Sequence, residues 1–159
     1  MLTKAVPSKW LYLHIPMLCL SYLMLLAAAA VGLLFIIQER RIKHHQSVAV
    51  TSRMPSLDMM EFFIYRMILW SFPLLTLGIL LGTHWAYITR GRFWEWDSTE
   101  TFSLVTWAIY AIYLALRWGI GWRGRRSTYL ALAGFGIILI TLVALFFFSP
   151  IHTMGNMKL

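Results

Sequence analysis

A chain of 159 residues that is 60% hydrophobic and only 13% charged carries more apolar surface than one soluble core of that size can hide. Its formal net charge of +8 falls mainly in short stretches between apolar runs, so attraction to anionic lipid headgroups accounts for it and nucleic acid is not required. One cysteine, Cys19, excludes an internal disulfide, a CxxC redox pair and a CxxCH segment within the chain.

A membrane-crossing helix needs about 20 mostly apolar residues. Four runs approach or exceed that length, at about 11–37, 62–83, 102–118 and 129–148. The first ends in Gln38-Glu39-Arg40-Arg41 rather than at a small-residue cleavage site, so it is expected to stay in the mature protein. The third is the shortest and reaches spanning length if Arg117 snorkels and Trp118 and Trp122 sit at the interface.

Eight basic residues (Arg40, Arg41, Lys43, Arg53, Arg117, Arg123, Arg125 and Arg126) occupy the first and third connections. Five (Lys4, Lys9, Arg90, Arg92 and Lys158) fall on the other side. The positive-inside bias therefore predicts an all-α integral membrane protein of four transmembrane helices with both termini on the outer side. One helical domain over 1–159 is expected, with no repeat, low-complexity tail or Gly/Ser linker. On span two, Arg66 is expected to snorkel inward or pair with Glu61 or Asp58. Pro73, Gly78 and Gly82 suggest a kinked helix closely approached by a neighbour, which is a packing role rather than a chemical one. Gly121 and Gly124 are expected to make a tight inner turn.

This topology places the outer connection, 84–101, beside three histidines. His14 lies about one turn inside the outer end of span one; His84 is near the outer end of span two, and His152 is just past span four. The connection itself contains Trp85, Arg90, Arg92, Phe93, Trp94, Trp96, Asp97 and Glu100. Tryptophan faces, guanidinium groups and carboxylates at a membrane surface suit a large flat aromatic ligand with acidic arms, and haem is such a ligand. Blander readings also fit. Asp97 and Glu100 have the N-cap and N3 spacing of a capping box, the tryptophans suit an aromatic belt, and the arginines suit lipid phosphate. With no mid-span histidine, one haem b near the outer surface is the reading the residues allow. His14 and His152, each beside a proline (Pro16, Pro150), are the favoured axial pair and His84 is a third candidate. His44 and His45, among basic residues in the first connection, are assigned no ligand role.

The ordered segments Leu20-Ser21-Tyr22, Phe72-Pro73-Leu74-Leu75-Thr76-Leu77-Gly78, Trp85-Ala86, Phe93-Trp94-Glu95-Trp96-Asp97, Thr106-Trp107 and Gly134-Phe135, between His14 and His152, carry a resemblance. The chain resembles the C-terminal four-helix part of the CcsA/ResC cytochrome c biogenesis proteins, which share a Trp-rich outer "WWD" segment with the haem-handling proteins CcmC and CcmF. The resemblance implies haem held at the outer face by His14 and His152 and presented to apocytochrome c. It also implies a ResB/CcsB-like membrane partner completing a holocytochrome c synthase, in a bacterial cytoplasmic or thylakoid-type membrane. The family's Trp-Asp-Pro-Lys-Glu reads Trp96-Asp97-Ser98-Thr99-Glu100 here, and Ala115 stands where longer members have a transmembrane histidine. These departures motivate an alternative, a CcsA-derived haem-binding structural or electron-transfer subunit of a respiratory or photosynthetic membrane complex.

Overall fold

The computed structural model describes residues 9–43, 55–93 and 98–148, with side chains over 13–43, 55–88, 91–93 and 100–143. All the regular structure among them is helical: α1 (Lys9–Lys43), α2 (Leu57–Arg90), α3 (Ser98–Gly119) and α4 (Arg125–Phe148). Each is long and apolar enough to cross a membrane, so the chain is a multi-pass, all-helical membrane protein. His44, His45 and Arg53 of the first connection lie outside the described residues.

The helices extend past the apolar runs. At 35 residues α1 is about 52 Å long, well over the ~30 Å hydrocarbon thickness. It carries on through Arg40, Arg41 and Lys43 because cations stabilise a helix C-terminus and Lys43 reaches back to Glu39 at 2.9 Å. Ser56 caps α2 by accepting the Met59 N–H at 3.3 Å. The helix then runs to Arg90 and stops at Gly91, whose φ of 73° lets its N–H bond the Tyr87 carbonyl at 2.9 Å. His84 and Trp85 therefore belong to the last turns of α2 and not to a loop; the outer connection is shorter than the sequence pattern predicts. Positive-φ Gly121 and Gly124 shape the α3–α4 turn as expected, and the Gly124 carbonyl receives the Ser127 and Thr128 hydroxyls at 3.0 Å.

Neighbouring helices pack antiparallel in the cyclic order α2–α1–α4–α3, with α1 against α2 the most extensive contact. Buried residues recur at helical spacing: Met60, Ile64, Ile68, Ser71 and Leu75 on α2, and Thr106, Tyr110 and Tyr113 on α3. They meet Leu25, Ala28 and Phe35 of α1 and Ala131 and Ile138 of α4. Lipid offers no hydrogen bonds, so polar side chains within the spans bond protein groups. Ser21 donates to the Ser71 carbonyl at 3.1 Å, joining α1 to α2. Trp107 donates to Thr76 at 3.0 Å, and its ring stacks on Phe72 with centroids 5.5 Å apart, joining α2 to α3. The Tyr110 hydroxyl donates to the Ala131 carbonyl at 3.3 Å. That bond needs Gly134, because a Cβ there would lie 2.8 Å from Tyr110 Cζ.

Of the alternatives expected for Arg66, a pair with Glu61 is not the one that forms. Glu61 pairs with Arg117 at 2.7 Å, both side chains being only 12–13% exposed, and Arg117 lies 4.3 Å over the Tyr65 ring. Arg66 instead lies 5.7 Å from the Phe62 ring centroid. Arg66 follows Glu61 by five residues on α2, about 140° around the helix, whereas Arg117 comes across from α3 onto the Glu61 face.

Two stability measurements follow. Glu61→Ala leaves a nearly buried guanidinium unpaired and is expected to cost about 3 kcal/mol, with the double change Glu61→Leu/Arg117→Leu costing clearly less in thermal melts of the purified protein. Gly134→Ala should cost about 1–3 kcal/mol by overpacking Tyr110. Gly136→Ala, where an added Cβ meets nothing within 4 Å, should be neutral or slightly stabilising in the same melts.

Candidate functional site

The end of the bundle opposite the Glu61–Arg117 pair gathers the N-terminal part of α1, the C-terminal turns of α2, the start of α3 and the end of α4. His14 is half-buried here, and its Nδ1 lies 2.8 Å from the Gly78 carbonyl oxygen across the α1–α2 crossing. A carbonyl oxygen only accepts, so Nδ1 carries a proton and, in the neutral ring, Nε2 is the nitrogen with the lone pair. Carbonyl bonds of this kind fix the tautomer and orientation of metal-bound histidines.

Two glycines make the approach feasible. A Cβ at Gly82 would stand 2.9 Å from His14 Cε1, and one at Gly78 would stand 2.4 Å from Leu18 Cδ2. Trp85, also half-buried, follows Gly78 by seven residues and so returns to the same face of α2, about two turns nearer the end. His84 is exposed and, two residues after Gly82, turned about 200° from it. It does not share the face that meets His14.

Beyond α2, Arg92 and Phe93 are exposed, and Phe93 stacks on Tyr87 with centroids 4.0 Å apart and planes 6° from parallel. Arg90 closes α2, and Glu100 lies half-buried in the first turn of α3, where a carboxylate favours the helix dipole. Trp94, Trp96, Asp97 and His152 lie outside the described residues; α4 ends at Phe148, four positions before His152. Among the described residues no cluster of three or more His, Cys, Asp or Glu side chains forms a metal site.

The family profile described as Cytochrome C assembly protein matches residues 1–152. The chain belongs to this family. The cytochrome c biogenesis protein CcsA of Guillardia theta is 31% identical over 97% of this chain and 56% of its own length. The CcsA of Prochlorococcus marinus (strain MIT 9312) is 31% identical over 97% of this chain and 56% of its own length, and that of Chlamydomonas reinhardtii is 34% identical over 86% and 38%. The match thus covers little more than half the length of the first two relatives and 38% of the third. No solved structure matches it significantly.

For a cytochrome c assembly protein, the informative result is what His14 meets. Gly78 and Gly82 look from sequence like packing glycines, yet the atoms lying closest to an added Cβ at Gly82 belong to the His14 ring. The i, i+4 glycine spacing on span two was the available signal; the register that sets it opposite His14 was not. Tyr87, the partner of Phe93, also escapes a reading of the sequence, since a lone aromatic near a helix end matches any interfacial belt.

Sidedness is testable by labelling. In a Cys19→Ala background, exposed Arg92→Cys should react with a membrane-impermeant maleimide in intact cells, whereas exposed Arg123→Cys should react only after the membrane is opened. The reverse pattern would invert the topology.

Proposed function

We propose that this chain holds one haem b at the outer face of the membrane and presents it for attachment to apocytochrome c, beside a ResB/CcsB-like membrane protein. The observation that carries the reading is His14, whose Nδ1–H is committed to the Gly78 carbonyl so that Nε2 keeps its lone pair, in a member of the cytochrome c assembly family. Imidazole nitrogen is a usual axial donor to haem iron, so this residue fits the group. The membrane would be a bacterial cytoplasmic or thylakoid-type one, with the Arg117 and Arg125 end of the bundle inside.

Bound haem supplies two vinyl groups, to which the thiols of a substrate CxxCH segment add. The chain's own residues position and release. His14 and His152 would hold the iron. Trp85, Trp94 and Trp96 would supply aromatic faces for the macrocycle and exclude water from it. Arg90 and Arg92 would donate charge-assisted hydrogen bonds to the propionates and so orient the ring. Glu100 lies in the first turn of α3, which borders the site, and Asp97 just before it would add a second carboxylate favourable to the helix dipole. No side chain acts as a nucleophile; the contribution is orientation of two reactants. His84, turned off the His14 face, is left outside the axial pair.

The test is spectroscopic and genetic. Purified protein supplemented with haem should show a Soret band with low-spin features that His14→Ala and His152→Ala each weaken and their combination abolishes. A deletion strain should lose all c-type cytochromes at once. Normal cytochrome c with failure of one membrane complex would instead support a role as a haem-binding subunit of that complex.

A further inference from the structure

At the α1–α2 crossing, His14 is held on two sides by the backbone of one partner helix. Gly78 supplies the carbonyl that receives Nδ1–H at 2.8 Å. Gly82, one turn further on, presents only a hydrogen where a methyl would lie 2.9 Å from Cε1, 3.5 Å from Nδ1 and 3.6 Å from Nε2. Contacts at 2.9 Å to a ring carbon lie well inside van der Waals separation, and the ring is stiff, so an alanine here must move either the ring or the helix. A free neutral histidine side chain in water favours the Nε2–H form. The Gly78 carbonyl selects the other tautomer, and the Gly82 clearance lets the ring sit close enough for that selection to work.

We propose that Gly78 and Gly82 form a socket that sets the tautomer and rotamer of His14, making both glycines positioning residues for its Nε2. Neither touches the haem. The socket belongs to the chain itself, while its use in ligation rests on the function proposed above. It also explains why two glycines are spaced i, i+4 at this depth: Gly78 alone would let α1 approach over Leu18, and Gly82 adds room for the imidazole one turn nearer the surface.

The experiment has one arm without haem and one with it. In the full chain labelled with ring ¹⁵N-histidine, with the His14 signals assigned by their loss in His14→Ala, the nitrogen shifts should show a protonated Nδ1 and an unprotonated Nε2 at a pH where the ring is neutral. Gly82→Ala should shift those signals toward the Nε2–H form, and Gly136→Ala should not. In haem-supplemented protein, Gly82→Ala should convert most of the low-spin six-coordinate spectrum to a high-spin one, as His14→Ala does.

A double variant guards against simple misfolding. If Gly82→Ala acts through the ring, His14→Ala/Gly82→Ala should melt no lower than His14→Ala alone, since the methyl then occupies vacated space. Wild-type nitrogen shifts and spectrum in a folded Gly82→Ala protein would overturn the proposal. So would a melting loss that is undiminished in the double variant, which would leave Gly82 a helix-packing glycine only. The expected nitrogen shifts together with no Soret band in the wild type would keep the socket and discard the haem reading.

Discussion

Hydrocarbon supplies no hydrogen-bond partner, so several polar side chains within the spans of this protein bond to groups of a neighbouring helix. The way the helices meet follows from that constraint. Ser21 on Ser71, Trp107 on Thr76, Tyr110 on Ala131 and His14 on Gly78 are all contacts in which a side chain crosses from one helix to a polar group of the next. Each joins a different height or pair of helices, so together they fix registers that apolar packing against lipid-like surfaces leaves open. Pro73 sits amid these contacts, where it removes one backbone bond of α2.

Such contacts need the backbones to come close, and small residues at the crossings allow it. Gly134 lets the Tyr110 ring lie over α4, Gly32 lets α1 approach Leu132 and Thr128 with a would-be Cβ at 3.4 Å, and Gly78 and Gly82 admit Leu18 and His14. Where the partner is an aliphatic side chain, the result is packing. Where it is an imidazole, close approach also decides which nitrogen carries the proton, and a packing device becomes a chemical one.

The two ends of the bundle are built differently. At one, Glu61 with Arg117 and Glu39 with Arg125 at 3.7 Å tie α2 to α3 and α1 to α4, amid a surplus of arginine. At the other, aromatic rings and a histidine dominate, and the helix termini present α2's last turns and α3's first. The charge-paired end, with its surplus of arginine, suits contact with anionic lipid headgroups.

The number of spans, the helical class and the clustering of Trp85, Arg92 and His14 toward one end were legible in the linear pattern, because bilayer thickness and charge bias act on composition alone. The family was legible in the order of its short motifs. Helix ends were not: cation–dipole stabilisation carried α1 to Lys43, and a left-handed Gly91 let α2 absorb His84 and Trp85. Nor was the partner of Glu61, since a charge five residues away on the same helix and one from another helix look equally near on paper. Composition and spacing, which depend only on neighbours along the chain, determined that this protein has four membrane-crossing helices and gathers aromatic residues toward one end. The tertiary structure alone decided that His14 faces Gly78 and Gly82, because that depends on the register of two antiparallel helices, a relation between residues 64 positions apart that no local pattern encodes.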